Sequence, residues 1–305
     1  MSYHEPVLAD AVLEHLGPLG TGWVLDATVG GGGHAARILE QATECRLLAV
    51  DRDAEALAEA RDRLQPFGDR VRFVNARFDA ALDVAGVQDG TLIGALLDLG
   101  VSSHQLDEDR RGFTFRPGAP LDMRMGGEGE SAADLLADAS ADELGRIFRE
   151  YGELPRARAL AQEIVRRRGG SPLTTSDDLV AALSRALGRS ASMGEKARTF
   201  QALRLAVNDE LDALEQALPR IRDALAPGAA LVVISYHSLE DRRVKHAFRA
   251  WSQACVCPPG LPVCVCRGRP LGETLTRSPI TASDEEARTN PRARSAKLRA
   301  WRAAA

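Results

Sequence analysis

Lysine is scarce in this chain: Lys196, Lys245 and Lys297 are three among 39 cations, and the rest are arginine. A lysine-centred catalytic constellation therefore has little to draw on, and the arginine bias itself is what a GC-rich coding sequence produces. Cysteine is scarce too. Of five, four crowd into one short segment, a pattern unlike a secreted disulfide framework. No apolar run approaches the roughly 20 residues of a membrane span. The opening Met1-Ser2-Tyr3-His4-Glu5-Pro6 is polar, so no signal peptide is expected, and the expected compartment is the cytoplasm. Net charge is −4, so nothing global announces a nucleic-acid partner. Two motifs are missing: G-x-x-x-x-G-K-[ST], which argues against a P-loop nucleotidase, and G-x-S-x-G, which argues against a hydrolase.

The most informative stretch that is present is Leu25-Asp26-Ala27-Thr28-Val29-Gly30-Gly31-Gly32-Gly33-His34, which reads as a strand emptying into a glycine loop. Glycines tolerate positive φ and put no side chain between backbone and ligand. A nucleotide-like ligand can then lie against main-chain N–H groups at the start of the next helix, and Ala35-Ala36-Arg37-Ile38-Leu39 suits such a helix. A second strand, Arg46-Leu47-Leu48-Ala49-Val50, ends in Asp51, about where dinucleotide-type folds place the carboxylate that grips a ribose. Gly30-x-Gly32-x-x-Ala35 also satisfies the dinucleotide fingerprint, so a nicotinamide-dependent oxidoreductase is the competing class. Asp26, ahead of the loop, favours S-adenosylmethionine, whose sulfonium and ammonium groups are cations, over a pyrophosphate.

Further strands are expected at Val71-Arg72-Phe73-Val74 and Ala95-Leu96-Leu97, with a helix over 54–64, which predicts a parallel, doubly wound sheet. After about residue 105 the pattern changes to a polar loop and then three helices. One is capped by Ser140-x-x-Glu143 and ends near Gly152; one opens at Pro155 and stops at Gly169-Gly170; one is capped by Thr174-x-x-Asp177 and runs to Gly188. These predict an inserted all-helical domain over 107–199, inside a sheet domain of 1–106 and 200–305. The sheet is expected to resume after helices on either side of Pro219. Pro227-Gly228 then turns the chain into the apolar strand Ala230 to Tyr236. Ser238-x-x-Asp241 reads as the cap of a helix reaching Trp251, and Lys297 to Trp301 as the last strand.

Six cations and no acid lie between Arg288 and Arg302, and Arg156, Arg158, Arg166, Arg167 and Arg168 share a predicted helix. For any single arginine a solvated charged face is the ordinary reading; clusters on one face point to nucleic acid. Cys255-x-Cys257-x6-Cys264-x-Cys266 places four thiols around Pro258-Pro259-Gly260. Such a set can close a tetrahedral structural Zn²⁺ site, although C-x-C is tighter than the usual C-x2-C. A reduced, metal-free loop, or a disulfide formed on purification, is the other reading.

Several motifs then occur in a fixed order: His4-Glu5-Pro6-Val7-Leu8, Asp26-x-Thr28-x-Gly30-Gly31-Gly32-Gly33-His34, Val50-Asp51-Arg52-Asp53 and Leu97-Asp98-Leu99-Gly100-Val101-Ser102-Ser103. After them come Gln105-Leu106-Asp107, Arg111-Gly112-Phe113-Thr114-Phe115, Leu121-Asp122-Met123-Arg124-Met125, Ser235-Tyr236-His237-Ser238-Leu239-Glu240-Asp241-Arg242 and Asn290-Pro291-Arg292-Ala293-Arg294-Ser295-Ala296-Lys297-Leu298-Arg299. In this order they resemble the bacterial ribosomal RNA small subunit methyltransferase H family, nearly end to end.

The resemblance implies a class I, Rossmann-like α/β methyltransferase fold with an inserted helical domain. It implies transfer of a methyl group from S-adenosylmethionine to the exocyclic N4 of one cytidine in the decoding region of 16S rRNA, within the assembled small subunit. The implied cofactor contacts are Gly32, Gly33, His34, Asp51, Phe78, Asp98 and Gln105. Arg292, Arg294, Lys297 and Arg299, with Arg166, Arg167 and Arg168, are the expected RNA contacts, and the target base must be splayed out to be reached. The oligomeric state stays open between monomer and homodimer.

Methyl transfer from a sulfonium is an in-line displacement, so alignment is the main task. Cytosine N4 is a poor nucleophile, and an acceptor for its protons frees its lone pair. Asp98 follows a central strand, at the edge where ligands bind in such sheets. Because Asp98-Leu99-Gly100-Val101 replaces the Asp/Asn-Pro-Pro-aromatic motif of many amino-methyltransferases, Asp98 has two readings: proton acceptor, or cofactor partner alone. His237 also has two, contact with the target base or packing of the pocket, whereas Ser238 reads as a helix cap. Attack at ring carbon C5 would need a cysteine after a strand, and none is so placed.

Overall fold

A computed structural model of the chain describes residues 6–257, 266 and 268–305. It divides into two units, one made of the segment through Gly100 together with Asp212–Ala305, the other of Val101–Leu211. The first begins with α1 (Ala9–Leu16), β1 (Gly22–Asp26), α2 (Gly33–Gln41), β2 (Cys45–Asp51), α3 (Ala54–Leu64), β3 (Val71–Asn75), α4 (Ala81–Ala85) and β4 (Leu92–Asp98). The second holds α5 (Ser103–Asp107), α6 (Ala132–Asp138), α7 (Ala141–Glu150), α8 (Ala157–Arg168), α9 (Ser176–Leu187) and α10 (Met193–Asn208). The chain then returns through α11 (Glu210–Ala224), β5 (Leu225–Ser235), α12 (Ser238–Ser252), β6 (Gly272–Thr274), α13 (Asp284–Thr289) and β7 (Lys297–Ala303).

The strand order is β3-β2-β1-β4-β5-β7-β6. Neighbours from β3 to β5 pair in parallel, and β7 runs antiparallel to both β5 and β6. This is the mostly parallel, doubly wound sheet expected from the sequence. Because side chains alternate across a strand, each central strand feeds two apolar layers. Leu25, Ala95, Leu97, Leu231, Val233 and Trp301 meet α4, α11 and α12 on one face through residues such as Leu82, Leu218 and Phe248. Val24, Leu96, Val232, Ile234, Leu298 and Ala300 meet α1, α2 and α3 on the other through Val12, Ile38 and Leu57. Strands covered on both faces must be apolar throughout, which is why β4 and β5 read as unbroken hydrophobic runs.

The chain leaves β1 and β4, the two middle strands, in opposite directions along the sheet: β1 leads to β2 and β3, β4 leads to β5. In open α/β sheets such a reversal, here at the carboxyl ends of β1 and β4, is the place where ligands are taken.

The helical unit is wider at both ends than the 107–199 expected from sequence. Ser102 already caps α5 in a reciprocal box with Gln105, and α10, boxed by Ser192 and Glu195, carries the unit past residue 199. Its core joins Leu121, Leu136, Phe148, Leu160, Leu183 and Phe200. Three local expectations are corrected. The third helix is capped by Thr175, not Thr174: the Thr175 hydroxyl accepts from the Asp178 N–H at 3.4 Å, and the Asp178 carboxylate accepts in turn from the Thr175 N–H. Pro219 lies inside the single helix α11, whose apolar stripe, with Leu214, Leu218 and Ile221 buried, offsets the lost N–H. Residues around Pro227-Gly228 belong to β5 as a bulge, with Leu92 opposite Leu225 and Gly94 already opposite Ala230.

Met123 has φ 61, a left-handed backbone that is strained for an ordinary side chain. Asn208, 2% exposed, holds it: its Nδ2 donates to the Met123 carbonyl at 2.7 Å and its Oδ1 accepts from the Met125 N–H at 2.9 Å. Asn208→Ala is expected to destabilise the helical unit by about 2–4 kcal/mol, because two buried backbone groups lose their partners. Amide exchange at Met125 should accelerate accordingly; unchanged protection there would contradict the assignment.

Candidate active site

The loop after β1 stays stitched to the sheet for two residues more, with the Ala27 N–H donating to Leu96 and the Val29 N–H to the Val50 carbonyl. It then turns through Gly30 (φ 50) and Gly32 (φ 81) into α2. Gly32 is needed for its φ, while the space beside it is filled by α3, whose Ala60 backbone would lie in ordinary contact, 3.4 Å, with a Cβ there. No side chain caps α2. Gly33 and His34 form its first turn.

Asp51, at the end of β2, shapes this loop. One carboxylate oxygen accepts from the Gly30 N–H and the other from the Asp53 N–H, each at 2.9 Å. A carboxylate has about four acceptor positions in all, so Asp51 keeps capacity for ribose hydroxyls. Burial pushes the Asp51 carboxyl up to about 6, against the lowering effect of those two N–H groups. Phe78, half-buried, follows β3, whose end is tied to the same strand through the Ala76 N–H and the Asp51 carbonyl.

Asp98 ends β4 and is reached from three elements. Its backbone N–H donates to Thr28 Oγ1 at 2.6 Å, Tyr236 Oη donates to its Oδ1 at 2.8 Å, and its Oδ2 lies 3.5 Å from His34 Nε2. His34 is buried, and that Nε2 has no hydrogen-bond partner among the described residues. Burial and the adjacent Asp98 carboxylate drive the Tyr236 phenol far above its usual range, so it remains a donor. Asp26, at the end of β1, is 1% exposed. Burial is the largest cause that pushes its carboxyl up to about 7; His34 opposes the rise, and Asp98 and Asp51 add to it. Three carboxyl groups thus end three neighbouring strands, a setting that repels a pyrophosphate and attracts a cation. That donor set, with the orphaned His34 nitrogen beside Asp98, fits S-adenosylmethionine.

His237 departs from expectation. It, not Ser238, is the N-cap of α12: its Nδ1 accepts from the Glu240 N–H at 3.4 Å, and its Nε2 lies 3.1 Å from Glu240 Oε1. Imidazole is an unusual cap, which is why the serine looked the better candidate. The 2% exposed Glu240 in turn accepts from the Tyr236 N–H at 2.9 Å. Nδ1 of His237 is therefore engaged within its own turn, where it helps fix the segment that carries Tyr236, whereas Nε2 makes no hydrogen bond among the described residues. Tyr236 and Glu240 were missed as site residues; the signal was the polar run that follows the apolar strand.

The remaining expected residues lie in several elements. Gln105 lies in the helical unit, buried in its cap with Ser102. Arg299, 6% exposed, is bidentate on Asp241 at 2.6 and 3.2 Å, so its charge is used inside the fold. Arg168 donates to the Leu136 and Ala139 carbonyls, and Arg166 and Arg167 both pair with Glu163. Arg294 is exposed; Arg292 and Lys297 are half-buried. Cys264 lies outside the described residues, while Cys255, Cys257 and Cys266 lie close together.

The model of the MraW methylase family matches residues 1–304 of this chain. The chain belongs to that family. This methylase is 53% identical to the ribosomal RNA small subunit methyltransferase H of Gemmatimonas aurantiaca over 99% of its own length and 96% of the relative's. With the protein of the same description from Heliobacterium modesticaldum it shares 51% identity, over 98% of this chain and 97% of that one. No helix among the described residues of the methylase is long and apolar enough to cross a membrane.

The raised Asp26 has a thermodynamic consequence. A carboxyl protonated in the folded state but ionised in the unfolded one contributes stability that is complete below pH ~4 and lost as pH rises through ~7. Asp26→Asn, permanently neutral, should match the parent near pH 4 and exceed it at pH 8 by on the order of 1–4 kcal/mol without ligand. All three tryptophans (Trp23, Trp251, Trp301) lie in the sheet unit, so denaturation followed by their fluorescence reads it out. Equal stability at pH 8 would contradict the buried-acid assignment.

Proposed function

We propose that this methylase transfers the methyl group of S-adenosylmethionine to the exocyclic N4 of a cytidine in the decoding region of 16S rRNA, acting in the cytoplasm on the assembled small subunit. The observation that carries the substrate is the end-to-end likeness, at about half identity, to ribosomal RNA small subunit methyltransferases H. The three strand-end carboxyl groups carry the cofactor.

Bound S-adenosylmethionine supplies an electrophilic methyl on a sulfonium centre. Asp51 accepts the ribose hydroxyls with the acceptor capacity left over from its backbone N–H partners. Gly32 and Gly33 let the ligand approach the backbone, and Phe78 packs against the adenine. Asp98 accepts a hydrogen bond from the N4 amino group, localises its lone pair and takes up the proton it loses. Tyr236 fixes the carboxylate by holding Oδ1, and His34 stands beside Oδ2. His237 acts through Glu240 as a positioning residue for Tyr236. Arg292, Arg294 and Lys297 meet RNA phosphate, with Arg166 and Arg167 contributing from α8, whereas Arg299 and Arg168 hold the fold.

Incubation with methyl-labelled S-adenosylmethionine and unmodified small subunits, followed by nucleoside separation, should place label in N4-methylcytidine. Label in another nucleoside would refute the target. Asp98→Asn is expected to lower kcat by about 10²–10⁴-fold with little change in cofactor affinity, and Tyr236→Phe by roughly tenfold. If Asp98→Asn loses cofactor affinity and keeps kcat, Asp98 serves the cofactor alone.

A further inference from the structure

Between Ser252, the last residue of α12, and Gly272, the first of β6, no helix or strand is found among the described residues. Nineteen residues connect the two elements, and the base of the connection is held firmly. The Leu271 N–H donates to the Trp251 carbonyl at 2.8 Å, Trp301 Nε1 donates to Ser252 Oγ at 3.2 Å, and Ser252 Oγ lies 3.0 Å from Thr274 Oγ1. Above that base, the sulfur atoms of Cys255, Cys257 and Cys266 all lie within 4.8 Å of one another.

Three corners of a zinc tetrahedron with Zn–S bonds of about 2.3 Å are about 3.8 Å apart. Small side-chain shifts therefore bring the three thiols to ligand geometry. A disulfide would use two of them and leave the third over. A second observation favours the ionised sulfur that a metal needs: the Val256 N–H points at Cys266 Sγ, 3.4 Å away. Backbone donors to sulfur stabilise a thiolate. As a thiol, Cys266 can give its proton to the Ala254 carbonyl at 3.9 Å, and that proton leaves when a metal binds. Cys255 is exposed and the other two are half-buried, so an ion from solvent can reach them. Soft, clustered thiolates select zinc among the common divalent ions.

We propose that Cys255, Cys257 and Cys266 bind one Zn²⁺ with release of their thiol protons, and that the ion staples the connection between α12 and the edge strand β6. The ion is structural: it organises the segment that delivers the chain to the sheet edge and takes no part in methyl transfer. The fourth coordination position is outside this set of three.

The test uses the full chain, grown with zinc and purified under reducing conditions without chelator, with metal measured by mass spectrometry. About one zinc per chain is expected. Cys255→Ser/Cys257→Ser should carry none while its tryptophan fluorescence remains that of the folded parent, and Cys45→Ser should keep its zinc, since Cys45 is buried under the sheet. Cobalt added to chelator-stripped wild-type protein should give a thiolate-to-metal absorption band, which needs no variant to fold. Absence of stoichiometric zinc together with no cobalt band would overturn the proposal, as would zinc that persists in the double variant.

Discussion

Asp98 is the point on which the candidate site depends. A carboxylate at the end of a central strand would ordinarily wander among rotamers, yet this one is tied through its own N–H to Thr28 and through its side chain to Tyr236, with His34 alongside. The contacts come from the loop after β1, from the end of β5 and from the first turn of α2. Its position therefore records the register of three elements at once. Preorganisation of this kind serves a reaction in which alignment is the main task.

The cost of the arrangement is charge. Asp26, Asp51 and Asp98 stand close enough for each of the other two to raise the Asp26 carboxyl, and burial adds the larger penalty. In the empty protein, part of that charge is avoided by protonation. A cationic ligand reverses the balance, because its positive charge stabilises the ionised forms that burial disfavours. The same site would then distinguish a sulfonium from the neutral thioether that remains after transfer, and so would favour release of product.

Much of this was legible in the residues. The run from Leu25 to His34 announced strand, loop and helix because glycine at positive φ has few substitutes, and the acid expected after the second strand is Asp51, whose carboxylate holds the glycine loop. What escaped depended on partners distant in sequence. Tyr236 matters through a carboxylate 138 positions away. His237 rather than Ser238 caps α12, since an imidazole can accept from an N–H when a buried Glu240 fixes it. Thr175, not the expected Thr174, caps α9, because its own hydroxyl is the one that accepts from the Asp178 N–H. Arg299 is instructive in the other direction. Alternation along β7 places it on the same side as Trp301, beneath α12, so its burial against Asp241 could have been read from strand periodicity.

The central claim is that the cofactor occupies the reversal between β1 and β4 with its reactive centre beside Asp98. A crystal structure with S-adenosylhomocysteine and a cytidine-containing RNA tests it most directly. The account predicts both ribose hydroxyls on the Asp51 carboxylate, the sulfur at the mouth between Asp26 and Asp98, and the cytosine N4 within hydrogen-bond distance, about 2.7–3.2 Å, of Asp98. A nucleoside bound away from Asp51, or an N4 held by a different acceptor, would contradict it.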